Sequence, residues 1–137
     1  MKILIPTKIE IRKSLIPKAD RGVFSTTAIH KGETIETASV LVVPRVDYSI
    51  LKTTILRNYY FMWGKVTVGI CFGYGPMYNH SYNPNATYHK HINKQLVEFT
   101  ALKDISKGEE ITINYNYGNP KSKKKLWIDS IPDSNHS

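Results

Sequence analysis

The sequence predicts a small, mostly β domain with few short helices, and three observations carry that reading. Runs rich in β-branched and aromatic residues are short and separated by turn formers, at residues 3–5, 9–11, 35–43, 66–72, 96–102 and 111–115. Only residues 44–57 carry a helical pattern, with Val46, Ile50 and Leu51 on one face. A Lys-Gly corner occurs twice: Ala28-Ile29-His30-Lys31-Gly32-Glu33-Thr34-Ile35 is echoed by Asp104-Ile105-Ser106-Lys107-Gly108-Glu109-Glu110-Ile111. In each, the glycine suits a tight turn with positive φ and the final isoleucine returns to the core. Two such corners are too few for a repeat protein.

Taken in order, residues 9–11 and 35–43 open the β-rich pattern, and the helix of residues 44–57 follows a proline start. Residues 66–72 form an apolar run that contains Cys71, the single cysteine, which reads as a buried small hydrophobe. Residues 96–102 partly alternate apolar and polar side chains, as a half-buried strand does, and residues 111–115 end on Tyr115. From Asn119 the chain is polar apart from the apolar island Leu126-Trp127-Ile128, so one domain is expected over residues 1–128 with a polar tail at 129–137.

Composition narrows the function classes. A chain of 137 residues supports one modest core. One cysteine excludes an internal disulfide and a cysteine-rich zinc site. No basic region followed by an apolar stretch marks a signal peptide, and no apolar run reaches the roughly 20 residues that span a bilayer. The expectation is a soluble, intracellular protein with no membrane partner, cytoplasmic, or nuclear in a eukaryotic source or host. The net charge is +8, and Tyr48 to Val97 contains no Asp or Glu but includes Lys52, Arg57, Lys65, Lys90 and Lys94. Lys121-Ser122-Lys123-Lys124-Lys125 adds a second basic run. This charge reads either as a solvated face or as attraction to nucleic acid or to a partner bound on it.

The densest polar segment is Gly73-Tyr-Gly-Pro-Met-Tyr-Asn-His-Ser-Tyr-Asn-Pro-Asn85, poor material for a helix or a regular strand. Asn79, His80, Asn83 and Asn85 crowd a stretch broken by Pro84, and such loops carry ligand contacts on a rigid scaffold. His80, His89 and His91 raise the question of a metal, but His89-Lys90-His91 is a strand-like alternation with no fourth ligand, so no metal is expected.

Three segments in order, Asp20-Arg21-Gly22-Val23-Phe24-Ser25, Met77-Tyr78-Asn79-His80-Ser81 with Pro84-Asn85, and Leu102-x-x-Ile105-x-x-Gly108-Glu109-Glu110-Ile111 with Tyr115, resemble the signature of the SET-domain protein-lysine methyltransferases. Tyr59-Tyr60-Phe61 before Trp63-Gly64 resembles the small, single-domain members of microbes and viruses. The resemblance runs from about residue 8 to about residue 128. It implies a SET-domain β-clip fold with a knot-like C-terminal crossing, and S-adenosylmethionine as cofactor.

The same resemblance implies roles. Arg21, Gly22, Val23 and Phe24 would cradle the methionine part of the cofactor by their backbone, with Asp20 standing where the family has glycine. Gly22 would let the backbone approach the ligand closely. Asn79 offers donor and acceptor to the charged ends of an amino acid, and His80 would contact the adenine side mainly through its backbone. Tyr115 would be catalytic, orienting the incoming amine and touching the cofactor. Tyr88 would control the number of methyl groups, biasing the product to monomethyl-lysine, and Tyr117 would line the substrate channel. The family's zinc lobe is absent from the sequence. Trp127 would then either cover the adenine or pack the C-terminal segment on the core.

The implied partner is a substrate lysine in a protein, histone or chromatin-like protein among the candidates, with a homodimer as a further expectation. A basic substrate segment would meet repulsion, so the enzyme's acidic residues are expected near the channel. The alternative is a non-catalytic basic β module or degenerate SET domain. It would bind nucleic acid or a chromatin partner, with the Tyr59 to Trp63 aromatics stacking on bases.

Overall fold

The computed structural model describes residues 5–64, 67–116 and 119–126. The chain runs through β1 (Ile9–Lys13), β2 (Arg21–Ser25), β3 (Thr34–Val43), α1 (Arg45–Leu51), β4 (Phe61–Met62), β5 (Val68–Cys71), β6 (Asn79–His80), β7 (Ala86–His91), β8 (Leu96–Ala101) and β9 (Glu110–Ile113). Short 3-10 turns occur at Ile55–Asn58, Gly75–Met77 and Ile92–Lys94. The fold is mostly β. No helix among the described residues is long and apolar enough to cross a membrane.

Two sheets build it, in the orders β1-β2-β9-β6 and β4-β5-β3-β8-β7. The last strand, β9, is therefore central in the first sheet, antiparallel to β2 and parallel to β6. That parallel pairing sets Asn79 beside Thr112 and His80 beside Ile113, which joins the polar loop to the segment leading into Tyr115. The knot-like crossing belongs to the family resemblance; the strand order alone does not carry it. Strand β3 is shared, pairing with β8 through Thr34–Ser39 and with β5 through Val40–Val43.

The two Lys-Gly corners meet each other. Ile29 and Ile105 exchange both backbone hydrogen bonds, at 2.9 and 2.8 Å, and each is 1% exposed. Gly32 and Gly108 have φ of +86° and +84°, the left-handed turn that glycine adopts without a Cβ penalty. Val23, Val97, Phe99, Ile111 and Ile113 complete the core between the sheets. Burying each contributes about 1.5–3 kcal/mol before the entropy of ordering is set against it.

The helix differs from expectation in length and in face. It ends at Leu51, because Thr53 and Thr54 turn their hydroxyls onto the carbonyls of Ile50 and Leu51, each at 2.7 Å. The Thr54 oxygen also accepts the Leu56 N–H at 3.2 Å, so these side chains compete with helix continuation. Tyr48 and Leu51 pack on the small cluster of Val43, Tyr60 and Val68. Val46 and Ile50, expected to face inward, are 73% and 65% exposed. Of the expected strand at residues 3–5, residues 3 and 4 lie outside the described residues and Ile5 is 87% exposed.

Candidate active site

Asn79 is 8% exposed, and its amide is held at both ends of its reach. Its Nδ2 donates to the Arg21 carbonyl at 2.9 Å and to Glu110 Oε2 at 2.8 Å. The Ser14 hydroxyl shares its proton with the same carboxylate, 2.8 Å from Oε1 and 3.0 Å from Oε2. Gly22 sits against this knot of polar groups. A Cβ there would collide with the Glu110 carboxylate and lie 2.9 Å from Asn79 Nδ2. A side chain at this position would therefore have to displace the Glu110 carboxylate and the Asn79 amide, a constraint that stands beside close approach to a ligand. Arg21 turns its guanidinium outward to Asp20, at 3.6 Å, and enters the network through its carbonyl. Val23 and Phe24 are buried in β2, opposite Ile111 and Glu110.

Asn85 fastens the far end of the loop. Its Nδ2 donates to the Glu110 carbonyl at 2.9 Å and to Glu109 Oε2 at 3.1 Å, while Oδ1 accepts the Thr112 N–H at 2.9 Å. The paired glutamates of the final motif therefore serve the loop on opposite sides of β9. The sequence showed Asn85, Glu109 and Glu110 as motif letters and gave no hint of this division.

His80 meets Tyr115 through its side chain. Its Nδ1 accepts the Tyr115 N–H at 3.0 Å, which places the imidazole proton on Nε2. That Nε2 is buried and has no hydrogen-bond partner. Burial lowers the His80 pKa from 6.5 to about 4, so the ring is neutral at pH 7. A buried N–H donor with nothing to donate to fits a bound acceptor such as a purine nitrogen. This fits the adenine side that the resemblance assigns to His80.

The histidine also predicts a pH effect. Its folded pKa lies below the unfolded value, so its contribution to stability is complete above pH 6.5 and is lost as pH falls towards about 4. Against a His80→Asn variant, the wild type should lose roughly 1–2 kcal/mol more over this window, allowing for the screening of a partly exposed residue. Urea titrations at both pH values measure the difference.

Tyr115 spans two regions. Its backbone holds His80, and its hydroxyl donates to the Tyr78 carbonyl at 2.7 Å. Burial raises its phenol well above the ordinary value, with the charges of Tyr59, Tyr88 and Glu110 adding to the effect, so it is protonated throughout the neutral range.

Beyond Tyr115 opens a cavity of about 60 Å³, walled by Tyr59, Phe61, Tyr78, Tyr88, Ile113 and Tyr115 among others. A single water needs only roughly 10–15 Å³, so an aliphatic side chain has room. Tyr88 is 8% exposed, with its ring edge-on to Phe61 at 5.0 Å. Of the Tyr59 to Trp63 segment, Tyr59, Tyr60, Phe61 and Met62 line this cavity.

Sequence reasoning missed Glu36. It is 4% exposed, and its carboxylate accepts the Tyr78 hydroxyl at 2.8 Å and the Tyr74 N–H at 2.9 Å. Burial raises its pKa, and it in turn helps burial push the Cys71 thiol up to about 12, so Cys71 is an inert core residue. Glu36 fixes Tyr78, and the Tyr78 carbonyl fixes Tyr115.

The C-terminal segment lies over the Asn-His-Ser loop. Asn114 and Asn116 donate to the carbonyls of Ser122 and Lys124 at 2.9 and 2.8 Å, and the Tyr82 hydroxyl reaches Lys124 O at 2.9 Å. Leu126 comes to the cavity wall. Tyr117 and Trp127, assigned to the channel and the adenine, lie outside the described residues. Among the described residues no three His, Cys, Asp or Glu side chains come together as metal ligands. Among the described residues the cavity lining itself includes no carboxylate, and the nearest acidic groups stand one residue behind it: Glu36 holds the Tyr78 hydroxyl, and the charge of Glu110 acts on Tyr115.

Comparison with known proteins agrees with the motifs. The SET domain pattern matches residues 20–116. The chain is 29% identical over 113 residues to a Schizosaccharomyces pombe histone-lysine N-methyltransferase specific for H3 lysine-37, covering 82% of this chain and 76% of that protein. A crystal structure of a Plasmodium falciparum protein, provisionally named a histone methyltransferase, superposes with TM-score 0.62 at 33% identity, over 82% of this chain and 96% of that one. The Polycomb Repressive Complex 2 of Chaetomium thermophilum, bound to S-adenosylmethionine, shares the fold at TM-score 0.70 and 19% identity, over 82% of this chain and 16% of that one. The chain belongs to the SET-domain family, the S-adenosylmethionine-dependent lysine methyltransferases that its polar loop and final tyrosine resemble.

Proposed function

We propose that the protein adds a single methyl group to a lysine of a protein substrate, with histones or chromatin-like proteins among the candidates that its relatives' names suggest. The observation that carries this is the double engagement of Tyr115. Its N–H binds His80 of the loop assigned to the cofactor, and its hydroxyl binds Tyr78 in the cavity wall. One residue thus joins the two half-sites that a transfer between two bound molecules requires.

When bound, S-adenosylmethionine supplies the methyl group on a sulfonium. The chain's own residues do the positioning. Both Asn79 N–H bonds are taken by the Arg21 carbonyl and Glu110, so Asn79 Oδ1 and the Arg21 carbonyl remain as acceptors for an amino acid's ammonium end, and His80 Nε2 offers a donor. The cavity's aromatic walls strip water from the incoming side chain and so favour the neutral, nucleophilic amine. Tyr115 has its proton committed to Tyr78, which leaves its oxygen's lone pairs to orient the N–H bonds of the amine. Calorimetric titration of S-adenosylmethionine into the wild type tests the cofactor half, and labelled-methyl transfer to peptides tests the lysine half. A folded protein that binds no cofactor would overturn the proposal in favour of the degenerate reading.

Monomethylation rests on Tyr88. Its buried ring shares the cavity wall with Phe61 and Tyr115, and a hydroxyl there takes space that added methyl groups would need. Tyr88→Phe should shift the product towards di- and trimethyl-lysine, read by mass spectrometry of a single peptide. Trimethyl-lysine from the unmodified enzyme would contradict this assignment. A homodimer and closeness to nucleic acid complete the proposal, on the family pattern and the net charge of +8.

A further inference from the structure

Among the described residues Glu36 is the only Asp, Glu, Lys or Arg that is buried, and the two donors bonded to it are neutral. Taking a carboxylate out of water on such terms costs stability, so its use lies in the geometry it imposes. Its Oε2 accepts the Tyr74 N–H at 2.9 Å and its Oε1 accepts the Tyr78 hydroxyl at 2.8 Å. These two residues flank the short turn Gly75–Met77, so one rigid carboxylate braces the turn at both ends. Gly73, at φ +85°, lets the chain pass close to Oε2, where a Cβ would collide with it. The Tyr78 ring, tied at its hydroxyl, stacks on Phe99 at a centroid distance of 4.5 Å, and the residue is 1% exposed. A side chain held at its tip and along its face fixes its own backbone. The Tyr78 carbonyl so fixed is the acceptor of the Tyr115 hydroxyl proton at 2.7 Å.

We propose that Glu36 is a positioning residue for methyl transfer: through Tyr78 it sets the direction in which Tyr115 presents its oxygen to the lysine amine. The inference rests on the reading of Tyr115 as the residue that orients that amine. A hydroxyl turns about its C–O bond, so the acceptor of its proton decides where its lone pairs point. When the Tyr78 carbonyl shifts, the Tyr115 O–H follows or loses it, and the amine no longer meets the methyl carbon in line. A displacement of about 1 Å at a reacting centre lowers the rate by up to about 100-fold. Glu36 does not itself line the cavity, so its effect falls on the transfer step and leaves the binding surfaces in place.

The test is a double-mutant cycle on the full chain, with S-adenosylmethionine and a pool of peptides that carry one central lysine among randomised neighbours. Glu36→Gln keeps the shape but has one acceptor oxygen in place of two, and Tyr78→Phe keeps the ring but removes the hydroxyl. Each should lower kcat roughly tenfold and leave the KM for S-adenosylmethionine within about twofold of wild type. In a Tyr115→Phe background neither should lower kcat by more than about a further twofold, because the hydroxyl they position is gone. Urea titrations show that each variant is folded, and Tyr78→Phe decides alone should Glu36→Gln not fold. A merely structural role would lower kcat by the same factor in both backgrounds, and that result overturns the inference. So does wild-type kcat in folded Tyr78→Phe; either outcome leaves the methyltransferase reading standing. No transfer to any peptide by a wild type that binds S-adenosylmethionine would instead refute the lysine reading, and the inference with it.

Discussion

Tyr115→Phe should fold and bind S-adenosylmethionine, yet lose roughly 10²–10³-fold in kcat, the usual scale for removing one preorganised hydrogen-bonding group at a reacting centre. The substitution keeps the ring, so the tilted packing against His80 at 5.2 Å and the cavity wall survive. The backbone bond to His80 survives as well, because it uses the Tyr115 N–H. What disappears is the hydroxyl, with its 2.7 Å bond to the Tyr78 carbonyl and the lone pairs offered to the amine. The stability cost should stay near 0.5–1.5 kcal/mol, the net worth of one hydrogen bond. Single-turnover methyl transfer, beside calorimetric cofactor binding, separates the two effects. Unchanged turnover would remove Tyr115 from the mechanism and leave it as core packing.

How much of this was legible in the sequence depends on what kind of contact is asked about. Strands β1, β3, β5, β8 and β9 followed from β-branched runs and turn formers, since those signals are local, whereas β2, β4 and β6 are short pairings set by their neighbours in the sheet and carry no such run. The pairing of the two Lys-Gly corners was visible as an echo, although only the structure shows that Ile29 and Ile105 bond to each other. The site loop was legible because polar residues crowd around Pro84.

Glu36 was not legible, for a physical reason. The register between β3 and β8 shifts between Thr34 and Glu36, so Ile35 and Glu36 are buried in succession. An alternating pattern assigns one of two neighbours to solvent, and a bulge breaks that rule without a sequence mark. The helix failed in a similar way. Val46, Ile50 and Leu51 have the spacing of a buried face, but tertiary contact kept only Leu51 of these and added Tyr48. At Gly22 the sequence offered no sign of a second constraint, because the group that crowds it, Glu110, lies 88 residues further along the chain.

Asn79→Ala should weaken S-adenosylmethionine binding by more than about 100-fold, or roughly 2.7 kcal/mol, and should also destabilise the fold. The two losses have different sources. Removing the amide takes a donor from the Arg21 carbonyl and from Glu110 Oε2, and a part-buried carboxylate that keeps only the Ser14 hydroxyl loses about 1 kcal/mol. The binding loss is the further disappearance of Asn79 Oδ1, the acceptor left for an amino acid's ammonium group. Asn79→Asp separates them. Its side chain is nearly isosteric, but it places a carboxylate against Glu110 where an N–H now lies at 2.8 Å. Like charges that close cannot both ionise freely, so the pair should share a proton and the variant should be less stable than alanine at pH 7. Lowering the pH supplies that proton, and the aspartate variant should then recover relative to alanine, a reversal that loss of packing alone would not produce. If both variants unfold at the same urea concentration at every pH, Asn79 and Glu110 do not form the coupled pair that the geometry describes.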